Sequence, residues 1–204
     1  MQTFLDLNST DEDILISNEN IESFKLLKNK KKYSIIVGPE KSGKSKLAKK
    51  FANLHNIELI NDIPHNLKFK NDTYLDLNKL PTNEESFFHF LQYFIANDIS
   101  LTIFTSSSPF SSDIRSKAVP DTLSRLKSFN ISNIEQPQDD LLFKLIQKFL
   151  KFKSIAVSDN IIECTMNYIN RTYVDALNAS ETINNLLYQN NHNINLSLIK
   201  QYYE

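Results

Sequence analysis

Cysteine is nearly absent: the 204 residues contain one, Cys164. That excludes an internal disulfide and a cysteine-rich zinc site, and suits a reducing compartment. Cys164 lies in the apolar-periodic stretch 161–169, where a buried structural thiol is the expected role. The histidines, His55, His65, His89 and His192, are scattered without ligand spacing, so no Cys/His metal site is expected. Neither sign of charge is in excess. The 23 basic and 24 acidic residues do not describe a globally basic nucleic-acid binder. One dense basic run, Lys28-Asn29-Lys30-Lys31-Lys32, reads as a solvated loop. Long hydrophobic runs are missing too. The most apolar stretch, 87–96, is short and interrupted by His89 and Gln92, so no membrane span is expected. The first residues carry Asp6, Asp11, Glu12 and Asp13 with no apolar segment, unlike a signal peptide. A soluble, cytoplasmic protein is the expectation. Glycine is the most telling shortage, with two residues where average usage of about 7% would give roughly fourteen.

Both glycines fall in one octapeptide, Gly38-Pro39-Glu40-Lys41-Ser42-Gly43-Lys44-Ser45. It has the form G-x-x-x-x-G-K-S of a phosphate-binding loop. Lacking a Cβ, glycine lets the backbone turn with positive φ, so that successive N–H groups converge on phosphate oxygens. Pro39, Lys41 and Ser42 line the loop, Lys44 would reach the outer phosphates, and the Ser45 hydroxyl would hold Mg²⁺. The flanks agree with this reading. Tyr33-Ser34-Ile35-Ile36-Val37 is a β-rich apolar run, and residues 46–52 are strongly helical, placing a helix N-terminus under the anion. The expected ligand is ADP or ATP with Mg²⁺.

Strand and helix signals alternate as far as about residue 136. Strands are expected at 56–60, 73–77, 99–105 and 129–134. Thr82-Asn83-Glu84-Glu85 has the form of a capping box. It opens a helix in which Phe87, Phe90, Leu91, Phe94 and Ile95 recur on one face. A Ser/Pro-rich loop and one helical turn at 123–126 precede the last strand. From Pro137 the pattern is helical only: Leu142, Leu145, Ile146 and Phe149 mark one helix, Ser158-Asp159 caps a second, and 172–187 supplies a third. The fold class is therefore α/β, a parallel sheet covered by helices with a small C-terminal α-helical lid. The expected divisions are 1–8, 9–137 and 138–204. A base followed by a helical lid is the layout of AAA+ ATPases.

Several segments carry a narrower resemblance. Residues 13–20, Asp13-Ile14-Leu15-Ile16-Ser17-Asn18-Glu19-Asn20, resemble the adenine-side segment of the bacterial replication initiator DnaA and its Hda-type relatives, the regulatory inactivators of that initiator. The loop at Gly38–Ser45 and the segment 81–89 look like the alphaproteobacterial form. Pro120-Asp121-Thr122-Leu123-Ser124-Arg125-Leu126 is similar to the family's P-D-L-x-S-R-L segment. The resemblance runs from residue 2 to residue 204 and implies a DnaA-related AAA+ protein. In this reading Ile14 and Ile16 flank the adenine, and Arg125 is an arginine finger acting in trans on DnaA. Gln2, Leu5 and Leu7 form a Q-x-x-L-x-L peptide similar to the one that enters a pocket on the sliding clamp, the polymerase beta subunit. DNA would be met only through the clamp, no membrane is involved, and a homodimer is left open. With Glu204 as the last residue, the initiator's DNA-reading domain is not expected.

The departures bear on chemistry. A Walker B strand ends in two acids, one for Mg²⁺ and one to orient the attacking water. Here Asp76 is followed by Leu77 and Asn78, and Asp76 could equally be an ordinary strand-end acid. Thr105 and Ser106 are either γ-phosphate sensors or turn formers. In the lid, Asp175 stands where the initiator has a phosphate-contacting arginine. Arg171 is the nearest substitute, with a surface role as its alternative. Intrinsic hydrolysis is therefore expected to be weak or absent. Two functions compete with the regulatory one: a stand-alone P-loop ATPase or small-molecule kinase, and a module that uses nucleotide only for folding or assembly.

Overall fold

A computed structural model describes residues 14–82, 84–116, 118–191 and 193–204, with only the backbone at 113. The strands are β1 (Tyr33–Val37), β2 (Glu58–Ile60), β3 (Thr73–Asp76), β4 (Leu101–Thr105) and β5 (Asn130–Asn133). They form one sheet in the order β2-β3-β4-β1-β5, with every pairing parallel. Side chains alternate across a strand, and here both faces are apolar. Ile35, Val37, Leu75, Leu101 and Ile103 face one core, while Ile36, Tyr74 and Phe104 face the other. Burial on both faces is what a parallel sheet requires, because its crossovers place helices on each side.

The first core is closed by α3 (Glu85–Ala96), whose Phe87, Phe90, Leu91 and Phe94 are fully buried. Leu126 of α5 (Pro120–Leu126) joins them. The second is closed by α1 (Ile21–Lys28) and α2 (Lys44–His55), through Phe24, Leu27, Leu47, Ala48 and Phe51. After β5 come α6 (Asp139–Phe152), α7 (Asp159–Met166), α8 (Tyr173–Gln189) and α9 (Leu196–Tyr203). These helices share a third core built on Leu142, Ile146 and Leu150 of α6, one residue per turn. Cys164 packs against it half-buried, so its thiol is less enclosed than expected. Two residues of these helices, Leu141 and Tyr173, pack instead into the α1–α2 core. The Tyr173 hydroxyl donates to the carbonyl of Glu135 at 3.0 Å, and burial pushes its pKa well above the ordinary phenol value. Among the described residues no helix is long and apolar enough to cross a membrane.

Several local expectations need correction. The capping box does not form: α3 begins at Glu85 with Glu84 as N-cap, and no side chain caps it. Thr82 is instead buried in the preceding turn, its carbonyl accepting the Val119 N–H at 2.9 Å, so a tertiary contact overrides the local motif. Ser158 holds the N-cap position of α7 without a side-chain bond. Thr172 does cap α8, its Oγ1 accepting the Asp175 N–H at 3.0 Å. Two helices go beyond the sequence expectation, α9 and the short α4 (Ser112–Arg115) inside the Ser/Pro-rich loop. The strands at 56–60 and 99–105 start two residues late. Asn56 is the left-handed cap of α2, and Ile99 still donates to Phe94 of α3.

Candidate nucleotide-phosphate site

β1 lies between β4 and β5, so its C-terminal end is flanked by both neighbouring strand ends. The Gly38 N–H donates to Thr105 O at 3.1 Å, and the Ile134 N–H donates to Val37 O at 2.7 Å. The chain then turns into α2. The two glycines serve this turn differently. A Cβ on Gly38 would lie 2.9 Å from Ile134 Cβ and 3.0 Å from Ser42 Oγ, so close approach excludes a side chain. Gly43 has open space around it but a φ of +88°, a conformation costly for L-residues. Gly38→Ala should therefore cost about 1–3 kcal/mol by overpacking, read as a lowered melting temperature. A variant that melts with the parent would refute the close-approach argument.

Gly43 is also the N-cap of α2, which has neither a side-chain cap nor an acidic residue in its first turn. The N–H groups of that turn and its positive dipole end make an arrangement suited to phosphate. Lys44 is buried, 8% exposed, and its Nζ donates to Gly38 O at 2.7 Å and Pro39 O at 2.8 Å. An ammonium has three donors, so the carbonyls fix its position and one donor remains. Burial lowers the Lys44 pKa, while Asp76 and Glu40 act against that shift. Ser42 Oγ is buried without a hydrogen-bond partner, a costly state that a phosphate oxygen would relieve. Pro39 is half-buried, and Lys41 (φ +61°) and Ser45 are exposed.

Asp76 ends β3, half-buried and in register with Phe104. Leu77 then packs into the α3 core and donates its N–H to Phe104 O at 2.9 Å. Asn78, two residues after Asp76, ties the ends of two strands together. Its carbonyl accepts Ser106 N at 3.0 Å and Thr105 Oγ1 at 3.4 Å, and its Oδ1 accepts Ser106 Oγ at 3.0 Å. Thr105 is fully buried. Both candidate sensor hydroxyls are therefore bonded to Asn78, a role that sequence could not reveal across 28 positions.

The segment 14–20 is held by Asn20, which accepts Ser17 N at 3.0 Å and donates to Leu15 O at 2.7 Å. Ile14 packs on the α1–α2 core, whereas Ile16 is 42% exposed. Glu19 joins this segment to the chain after β5, accepting Glu135 N at 3.0 Å and Gln138 N at 3.1 Å. The P-loop, Asp76 and Thr105 thus gather at the carboxyl ends of the strands, where ligands bind in open α/β sheets.

Arg171 is engaged within the helical region. Its Nε donates to Asp139 Oδ1 at 2.9 Å, and Nη1 donates to Met166 O and Ile169 O at 2.9 and 3.0 Å. None of these partners is a P-loop residue. The Asp175 carboxylate accepts the Thr172 hydroxyl at 2.9 Å, part of the α8 cap. Arg125 lies near the end of α5, half-buried, its guanidinium 5.9 Å from the Phe88 ring centroid. Leu126 is fully buried beside it. Among the described residues no ion pair joins Arg125 to Asp121. Gln2, Leu5 and Leu7 lie outside the described residues.

The chain matches no protein-family model and no curated protein sequence. Solved structures do resemble it. Domain III of the Thermotoga maritima replication initiation protein DnaA aligns with a TM-score of 0.71 and 12% identity, covering 93% of this chain and 94% of that one. The Thermotoga maritima RuvB Holliday junction branch migration motor aligns at 0.62 and 14% identity over 91% of this chain and 68% of its own. AMPPCP-bound DnaA from Aquifex aeolicus aligns at 0.62 and 15% identity over 88% and 64%. The chain thus spans about two thirds of the RuvB and Aquifex DnaA chains. At these identities the likeness is one of fold, and the fold is that of an AAA+ P-loop α/β domain followed by a C-terminal helical region.

Proposed function

We propose that this protein binds ADP or ATP at the P-loop and regulates replication initiation as an Hda-type partner of DnaA. The carrying observation is the pairing of a built phosphate cradle with a strand end that lacks a second carboxylate. Gly38, Gly43, buried Lys44 and the unpartnered Ser42 hydroxyl suit phosphate, whereas Asn78 is consumed in joining β3 to β4. Such a site holds nucleotide and turns it over poorly. Ser45 and Asp76 are the residues that would hold Mg²⁺, which neutralises phosphate charge when bound. Ile14 lies in the segment that resembles the adenine side of the initiator. The AMPPCP bound in the Aquifex DnaA neighbour supports a nucleotide ligand.

The regulatory step belongs to Arg125. In this reading the protein docks on the sliding clamp through Gln2, Leu5 and Leu7 and presents Arg125 to the ATP held by DnaA. A stand-alone ATPase or kinase is less well supported, because neither a second acid nor a basic substrate pocket accompanies the P-loop in the sequence. Hydrolysis measured alone, then with ATP-loaded DnaA and clamp on DNA, separates the two. Turnover by the isolated chain, unchanged by the partners, would overturn the regulatory reading. Replacing Gln2, Leu5 and Leu7 together by alanine should abolish clamp binding and leave the melt and ADP affinity unchanged. Clamp binding as tight as the parent's would show the motif to be incidental.

A further inference from the structure

We infer that the open edge of β5 pairs with β5 of a second copy of this chain, joining two sheets into one across a two-fold axis. This property is distinct from the P-loop and from clamp docking. β5 lies at one end of the sheet, and among the described residues it pairs with β1 alone. The Ile134 N–H donates to Val37 O at 2.7 Å. In a parallel ladder alternate residues of a strand turn both backbone groups to the same neighbour. Ser132 therefore faces β1 as Ile134 does, while Ile131 and Asn133 turn their N–H and C=O groups outward. Among the described residues nothing takes those outward groups. The next outward N–H, that of Glu135, is bonded to Glu19 O at 3.0 Å, so the open edge centres on Ile131 and Asn133.

Edge strands are commonly guarded by charge or proline, and β5, Asn130-Ile131-Ser132-Asn133, has neither. Ile131 is 40% exposed and in register with Ile35, on the α3 side of the sheet. Unpaired backbone groups beside an exposed β-branched side chain are a template for another strand. A second copy fits this edge by symmetry. Run antiparallel with Ser132 opposite the copy's Ser132, the strands set Ile131 opposite Asn133 in both directions. These are hydrogen-bonded pairs, whose members exchange both bonds, so every outward group of Ile131 and Asn133 is used on both strands. The same register brings the two Ile131 side chains diagonally together on one face, within reach of each other. On the other face α1 packs on β5 through Ser23 and Ser132, whose hydroxyl oxygens are 2.8 Å apart. α1 carries Glu22 in its first turn and Lys25 and Lys28 in its last. The two-fold turns the acidic end of one α1 toward the basic end of its copy, as an isologous interface requires.

The test is sedimentation equilibrium of the full chain. A pair of four-residue strands makes a small interface, of the weak and transient class. The mass should therefore rise toward that of a dimer over about 1 μM to 1 mM. Ile131→Lys places a charge on the edge of each strand and should raise the dimer Kd about tenfold or more. Asn133→Pro should do the same by removing an outward N–H, the position at which an edge strand tolerates proline. Both side chains are exposed, so the melting temperature of the dilute chain and its ADP affinity should match the parent. If proline lowers the melt, the lysine variant carries the comparison. Register is read by disulfide trapping in a Cys164→Ser background. Ile131→Cys mixed with Asn133→Cys should cross-link faster than either variant alone. A hydrogen-bonded pair holds its Cα atoms about 5.5 Å apart, inside the disulfide range of about 4.4–6.8 Å. A parent that stays monomeric up to about 1 mM overturns the inference. So does association that survives Ile131→Lys, or cross-linking no faster in the mixture than in the single variants. Loss of ADP affinity in Lys44→Ala leaves this association standing, which keeps it separable from the nucleotide and regulatory proposals.

Discussion

Arg125→Ala is expected to remove most of the stimulation of DnaA-bound ATP hydrolysis while leaving folding, nucleotide binding and clamp binding intact. A guanidinium brought against the β/γ-phosphates stabilises transition-state charge, and such fingers are worth ~10³–10⁵ in rate. The intramolecular contact of Arg125 is small by comparison. Its approach to Phe88 at 5.9 Å is worth about 0.5–1 kcal/mol at an exposed site. A purely structural arginine would therefore show a slight change in melt and none in partner hydrolysis. Arg125→Lys should fail nearly as badly as alanine, since an ammonium lacks the planar fork that spans two phosphate oxygens. Phe88→Ala serves as a control: it removes the ring and keeps the guanidinium, so most stimulation should survive. The assay is single-turnover hydrolysis of DnaA-bound ATP with clamp on DNA. Stimulation by the alanine variant equal to the parent's would falsify the proposed central step.

Lys44→Ala should weaken ADP binding by about a hundredfold, near the upper end for a hydrogen bond to a charged group, about 3 kcal/mol. The ammonium is held in place by the carbonyls of Gly38 and Pro39, so little of its freedom remains to be lost on binding phosphate. The same contacts mean that the substitution takes a donor from two carbonyls, of which Pro39 O keeps the Ser42 N–H at 3.3 Å. A melt of the nucleotide-free variant measures that part by itself. Calorimetry reads the rest, and an ADP affinity equal to the parent's would rule out this assignment of the site.

The phosphate loop was legible in sequence because its requirement is local. Two glycines, a lysine and a serine at fixed spacing between an apolar strand and a helix describe a backbone shape. That Gly43 has positive φ follows from the motif itself. Periodicity was equally informative for α3 and α6, since a helix face buried in a core repeats along the chain regardless of its partner. The α/β class and the helical C-terminal region followed from the same signals. Sequence also separated the two glycines from the rest of the chain, although it could not tell why Gly38 was needed.

What tertiary structure decided were the long-range contacts. Gly38 excludes a side chain because Ile134, just after β5, lies against it. Leu77 and Asn78 read only as the absence of a second acid, and Asn78 accepts hydrogen bonds from Thr105 and Ser106. Arg171 looked like a substitute for a phosphate contact, and its Nε and Nη1 donate to Asp139, Met166 and Ile169. Thr82 had the local form of a helix cap, but burial beside Val119 placed it in a turn. For Asn78 and Arg171 a polar side chain can bond to any of several groups brought within reach. A local motif states which bonds such a residue can make, and only the packing of distant segments selects the one it does make.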